Sequence, residues 1–209
     1  MDPGAGAAAW KWSASASDRL LTPIDFTAPK LEESSCHQHP MGDERWREVL
    51  SDFRSKLQTL DRVRTKYLER AIRERIEWLD PIMTWYCRLT CGECPDPCCH
   101  ARKIFFNRTD MLYLACSDLP APPGQTRTQA GNPCRYLGVD GCGLSRTGRP
   151  YVCVWFLCEP QMELLQHEPV GFQRQLAKVM GEIRSCRLLL EATFEAAFPE
   201  APAVVVERL

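Results

Sequence analysis

Cys87-Arg-Leu-Thr-Cys91-Gly-Glu-Cys94-Pro-Asp-Pro-Cys98-Cys99-His100 places five thiols and an imidazole within fourteen residues. No apolar packing pattern calls for thiols at these intervals, and adjacent cysteines such as Cys98 and Cys99 do not readily pair with each other. Cys91-x-x-Cys94 is the spacing at which two thiolates from one tight turn reach a single metal ion. Gly92, Pro95 and Pro97 let the chain curl its sulfurs inward. The stretch therefore reads as a metal-binding knuckle, with the helical segments on either side holding it.

On its N-terminal side, residues 43 to 79 carry a helical pattern. Trp46, Leu50, Phe53, Leu57 and Leu60 step by four and three, and the stripe then drifts to Val63, Tyr67, Leu68, Ile72, Ile76 and Leu79. Such drift suits one helix, or two joined helices, packed in a bundle rather than a strict coiled coil. Asp80-Pro81 is expected to end it, because the residue before a proline is pushed out of the α region. Arg62, Lys66, Arg70 and Arg73 lie on the opposite face, interleaved with Glu69, Glu74 and Glu77. That mixture reads as a solvated charged face, not a nucleic-acid stripe.

On its C-terminal side, Lys103-Ile-Phe-Phe reads as a short strand. Asp110 to Cys116 reads as a helical turn or two capped by Thr109 or Asp110, with Cys116 in the core. Residues 117 to 133 form a loop rich in Pro and Gly, of a length that is usually functional or disordered.

A second cysteine block follows at Cys134, Cys142, Cys153 and Cys158. Asp140-Gly141 is a tight-turn signal that puts Cys134 and Cys142 on opposite arms of a small hairpin, able to aim two thiolates at one point. Cys153 and Cys158 bracket the apolar Val154-Trp155-Phe156-Leu157, which would wall a site off from water. Residues 160 to 167 suggest a short helix. From Val170 to Phe198 a four-three alternation through Phe172, Leu176, Val179, Ile183, Cys186, Leu190, Thr193 and Ala197 predicts a long helix, with Cys186 on the packed seam.

The 209 residues, 44% hydrophobic and 25% charged, are ordinary for a globular chain, and a net charge of -1 exerts no global pull on nucleic acid or an acidic membrane. The outlier is the count of twelve cysteines. In a secreted chain they would read as a disulfide framework. The start, Met1-Asp2-Pro3-Gly4, has no basic n-region, and its short Ala run is broken by Trp10-Lys11-Trp12, so no signal peptide is expected. No uncharged apolar run approaches the ~18 residues of a membrane span. A cytoplasmic location with metal-bound thiols is the expectation. Residues 1–40 read as a disordered or loosely docked segment, in which Cys36-His37-Gln38-His39 is taken as an incidental polar loop. Residues 41–209 read as a single α-rich domain with its cysteine core at 87–158.

The order Cys91-Gly-Glu-Cys94-Pro-Asp-Pro-Cys98-Cys99, Cys134-Arg-Tyr-Leu, Gly141-Cys142-Gly-Leu, Arg149-Pro150-Tyr-Val-Cys153 and Phe156-Leu-Cys158 resembles the YkgJ-type cysteine-cluster family. The resemblance covers about a third of the chain and implies a zinc- or iron-chelating domain. Three residues, where the family pattern has two, separate Cys94 from Cys98, so Cys98 and Cys99 both stay candidates for one ligand position. Cys87 lies outside the pattern, as do both long helical regions. The candidate ligands are Cys91, Cys94, Cys98, Cys99, Cys134, Cys142, Cys153 and Cys158, with His100 ranked last. Soft thiolates suit zinc or iron, including an iron–sulfur cluster.

The expected fold is mainly α: long helices packed around a small cysteine-rich knuckle with a short β-hairpin. The expected function is zinc or iron chelation by thiolates from two blocks. A similar cysteine domain in flagellin lysine methylases implies, as an alternative, an iron–sulfur protein-modifying enzyme, though no Gly-rich nucleotide loop follows a strand here. A metal-stapled helical adaptor that meets a protein partner through its helical surface is the third reading.

Overall fold

The computed structural model describes residues 41–92, 94, 97–100, 104–129, 132–138 and 141–199. Its elements in chain order are α1 (Asp43–Leu57), α2 (Arg62–Thr90), α3 (Arg108–Cys116), β1 (Leu137–Gly138), β2 (Gly141–Cys142), α4 (Tyr151–Trp155), α5 (Glu159–Gln166) and α6 (Val170–Ala197). Two 3₁₀ turns, Cys98–His100 and Arg146–Gly148, punctuate the connections. The fold is mainly helical with one small antiparallel hairpin, as the sequence leads one to expect. No helix among the described residues is long and apolar enough to cross a membrane. The N-terminal segment with Cys36, and the tail beyond residue 199, lie outside the described residues.

The long N-terminal pattern is two helices. Asp61 starts the second, its carboxylate accepting from the Val63 and Arg64 backbone N–H at 3.0 and 3.1 Å. The break resets the helical phase. Trp46, Leu50, Phe53 and Leu57 are buried as expected, but Val63 and Tyr67, assigned to the same stripe, are 82% and 70% exposed. Leu68, Ile72, Ile76 and Leu79 are buried again.

Pro81 does not end α2, which runs on to Thr90 with the proline inside it. The buried stripe Ile72, Ile76, Leu79, Met83 and Tyr86 keeps its phase across the proline. Burying Leu79 and Met83 is worth about 1.5–3 kcal/mol each. Together they match or exceed the roughly 3 kcal/mol that a mid-helix proline costs. The proline itself sits on the exposed face, where its ring meets solvent.

Helices α2 and α6 form the main pair, and they run antiparallel: Arg75 meets Glu182 at 2.6 Å, while Tyr86, further along α2, feels Glu168 just before α6. On α6 the buried positions are Gln173, Leu176, Val179, Ile183, Arg187, Leu190 and Phe194. The stripe follows the expected phase through Leu176, Val179, Ile183 and Leu190, while Gln173, Arg187 and Phe194 are buried in place of Phe172, Cys186 and Thr193, and Ala197 is exposed. α3 packs between α1 and α6. Its cap is Asn107, not Thr109 or Asp110. Asp110 is the third residue of a reciprocal capping box, with Asn107 Oδ1 accepting from Asp110 N–H at 2.8 Å and Asp110 Oδ2 accepting from Asn107 N–H at 2.9 Å.

The segment expected as a strand has no strand partner among its described residues. Gln125, fully buried, serves instead: its Oε1 accepts from the Phe106 N–H at 2.7 Å and its Nε2 donates to the Phe106 carbonyl at 2.9 Å. The neighbouring Thr126 hydroxyl donates to the Ile104 carbonyl. The loop 117–129 is therefore structural. Its Pro122 carbonyl accepts from buried Trp46 Nε1 at 2.8 Å, and Gln125, Thr126 and Arg127 are all within 1% of full burial.

Candidate metal centre

The C-terminal end of α2, the turn after it, the hairpin and the α4–α5 junction bring the cysteines together. No disulfide joins any two of the eleven described cysteines. Cys87 and Cys91 lie one helical turn apart at the end of α2, and the Cys91 N–H donates to the Cys87 carbonyl at 2.8 Å. Cys94 turns back on Cys91, its N–H donating to the Cys91 carbonyl at 3.4 Å. Cys98 and Cys99 open the 3₁₀ turn that ends at His100, whose side chain lies outside the description.

The hairpin forms as the Asp140-Gly141 signal predicts. Leu137 pairs with Cys142 and Gly138 with Gly141, which holds the left-handed φ of 103° that favours glycine. Leu137 N–H donates to the Cys134 carbonyl at 3.1 Å, which holds that thiol's backbone at the foot of the hairpin. Pro150 begins α4, so Cys153 sits one turn into that short helix, and Cys158 caps α5. Val154 is fully buried, whereas Phe156 is 40% exposed, so the apolar bracket closes only one side of the site.

The thiols fall into two neighbourhoods. Burial pushes Cys91 up to about 11, and Cys87 and Cys158 add to this, while the Thr90 hydroxyl opposes it. Burial also raises Cys153, reinforced by Cys142, Cys99 and Cys134. Cys134 is raised by burial and by Cys142 and Cys99, against the opposing pull of the Tyr136 backbone and of Arg127. By these fields Cys91 is tied to Cys87 and Cys158, whereas Cys134 and Cys153 are tied to Cys99 and Cys142. Cys98, raised first by its hydrogen bond with Cys99 and also by Cys91 and Cys153, lies between them.

Among the described residues, no three Cys, His, Asp or Glu side chains close on one point as a finished metal shell. A metal ion would have to draw the sulfurs in. The donor chemistry fits such an ion: the groups are soft, reduced and gathered from three distant parts of the chain. A cation would also offset the burial, and the lesser mutual repulsion, that hold Cys91, Cys134 and Cys153 protonated.

Several residues that carry the site were not singled out from sequence. Gln161, 4% exposed, donates from Nε2 to Thr90 Oγ1 at 3.2 Å and to the sulfurs of Cys87 and Cys91 at 3.7 and 3.8 Å. Its Oε1 accepts from the Cys158 N–H at 3.4 Å. Arg127 Nη2 donates to the Cys99 carbonyl at 3.0 Å. Arg146 ties the block to α2: Nε donates to Asp80 Oδ1 at 2.9 Å and Nη1 to the Cys153 carbonyl at 3.3 Å. None of these three side chains carries a spacing signal in the sequence.

Comparison of the chain with family models, with curated proteins and with solved structures finds no match.

Proposed function

We propose that the protein is a cysteine-cluster metal protein that holds zinc or iron through thiolates from residues 87–99 and 134–158. The observation that carries this reading is the convergence of thiols from α2, the 3₁₀ turn, the hairpin and the α4–α5 junction into each other's electrostatic fields. A fold stabilised by packing alone has no use for so many partly buried thiols in one place, and each of them costs desolvation if ionised without a cation. The motif resemblance over residues 91–158 supports the same reading.

Elemental analysis of anaerobically purified protein tests it. A colourless sample with stoichiometric zinc, or a brown one with iron and a visible thiolate-to-iron band, is the expected result. Cys153→Ser should lose metal and Cys36→Ser should keep it. Metal-free protein with most thiols oxidised would overturn the proposal.

A further inference from the structure

Building on the metal-binding reading, we infer that Cys87 joins Cys91 and Cys158 in a second metal-ion position, separate from the one formed by Cys99, Cys134, Cys142 and Cys153, with Gln161 donating to its thiolates. The family-like motif does not include Cys87, yet Cys87 and Cys91 share one face at the end of α2 and the same buried amide. Gln161 is fixed from two sides. Its oxygen is occupied by the Cys158 N–H and its nitrogen by Thr90 and the two sulfurs, so its N–H groups, not its carbonyl, face the thiols. A buried amide aimed at two sulfurs stabilises them as anions, which is what a metal-bound thiolate asks of its surroundings. The same amide joins the two α2 sulfurs to the Cys158 backbone N–H at the α5 cap, so one side chain links the elements that carry all three thiols.

The other position is built from different elements. Cys134 and Cys142 come from the hairpin, Cys153 from α4 and Cys99 from the 3₁₀ turn. A buried guanidinium stands beside it: Arg127 is 1% exposed, bonds the Cys99 carbonyl and exerts its field on Cys134. A four-thiolate zinc site carries two excess negative charges, and a fixed cation next to it offsets part of them. Cys98, adjacent to both groups, is the thiol that lies between the two ions. Every thiol that ligates gives its proton to solvent, so the two positions fill with proton release.

Zinc titration of the reduced full-length chain under anaerobic conditions, with a chromophoric chelator as competitor, tests the inference. Wild type should take up two equivalents of zinc. Cys87→Ser and Cys142→Ser should each take up one, and the double variant essentially none. Gln161→Glu keeps every thiol and keeps an acceptor for the Cys158 N–H but loses the donor. It should weaken one equivalent by about 10–100-fold and leave the other unchanged.

Two equivalents retained by Cys87→Ser at unchanged affinity would overturn the second position, as would a single equivalent in wild type. In both cases the metal-binding reading stands. Loss of both equivalents on substituting Cys87 would refute their separateness. No zinc bound by wild type would sink both proposals together. Should Cys87→Ser fail to fold, Gln161→Glu decides alone, and wild-type affinity at both positions in that variant overturns the inference.

Discussion

Asp110→Ala should be among the most damaging single substitutions outside the cysteines. Asp110 is 3% exposed and serves three elements at once. It closes the α3 capping box, its Oδ1 accepts from the Tyr151 N–H at 3.0 Å at the start of α4, and it meets Arg187 of α6 at 2.7 Å. Burial pushes its carboxyl upward, while Arg187 and the two backbone N–H groups pull it down. The pair is closed further by Arg187 stacking 4.4 Å over the Tyr151 ring and donating to Asn107 Oδ1 at 3.3 Å. Removing the carboxylate leaves a buried guanidinium without its counter-ion, a loss of about 3–5 kcal/mol. That is a large fraction of a total stability of order 5–15 kcal/mol. With a urea m-value near 2 kcal/mol/M, the midpoint should fall by roughly 1.5–2.5 M. Urea unfolding followed by far-UV circular dichroism, with metal content matched between variants, reads this directly. Arg187→Met added to Asp110→Ala should recover part of the loss, giving a coupling of at least about 1 kcal/mol within the usual range of roughly 0.5–3 kcal/mol for contacting residues. A loss under about 1 kcal/mol for Asp110→Ala, or strict additivity with Arg187→Met, would refute the argument.

Gly141→Ala should cost roughly 1–2 kcal/mol from the left-handed backbone alone, since a Cβ there meets nothing within 4 Å. A neutral result in urea unfolding would show that the turn does not depend on that φ. Pro81→Ala should raise the melting temperature, because it removes up to about 3 kcal/mol of helix disruption and gives back only about 0.4–1 kcal/mol of unfolded-chain entropy; an unchanged or lower melting temperature counts against the account of α2. Arg135 holds the Asp43 carboxyl below the usual carboxylate range, chiefly through its hydrogen bond and against a small burial effect. A lowered acid pKa gives stability that is present above the ordinary value and lost as pH falls through the lowered one. The Asp43–Arg135 contact should therefore persist at pH 5 and dissolve progressively below about pH 4. Carboxyl NMR shifts of Asp43 follow it, and a titration at the ordinary value contradicts the pairing.

What could be read from sequence divides by physical range. α6 was legible because its seam repeats over seven turns, so one-residue offsets at Phe172, Cys186 and Thr193, where Gln173, Arg187 and Phe194 are buried instead, and an exposed Ala197 did not disturb it. The hairpin was legible because Asp140-Gly141 is a local signal that sets a local geometry. Continuation of α2 past Pro81 was not, since the local rule against α before proline loses to a stripe whose burial depends on α6, far away in sequence. Val63 and Tyr67 were misassigned because a four-residue break shifts the phase of every later position. At the candidate centre, the cysteines announce themselves by type. Gln161, Arg127 and Arg146 do not, because an amide or guanidinium aimed at a sulfur or carbonyl leaves no spacing pattern behind.

The clasp of Gln125 on Phe106 also bears on how the chain behaves in a crowded solution. Ile104-Phe105-Phe106 is short and apolar, and intermolecular cross-β pairing needs backbone groups left open. One side chain occupies both the N–H and the carbonyl of Phe106, and Thr126 takes the Ile104 carbonyl, so a neighbouring chain finds these groups already engaged. The only strands among the described residues are two residues long, too short to template a partner. Gln125 and Thr126 act in this sense as gatekeepers of colloidal behaviour, guarding the segment that follows directly on the cysteine knuckle.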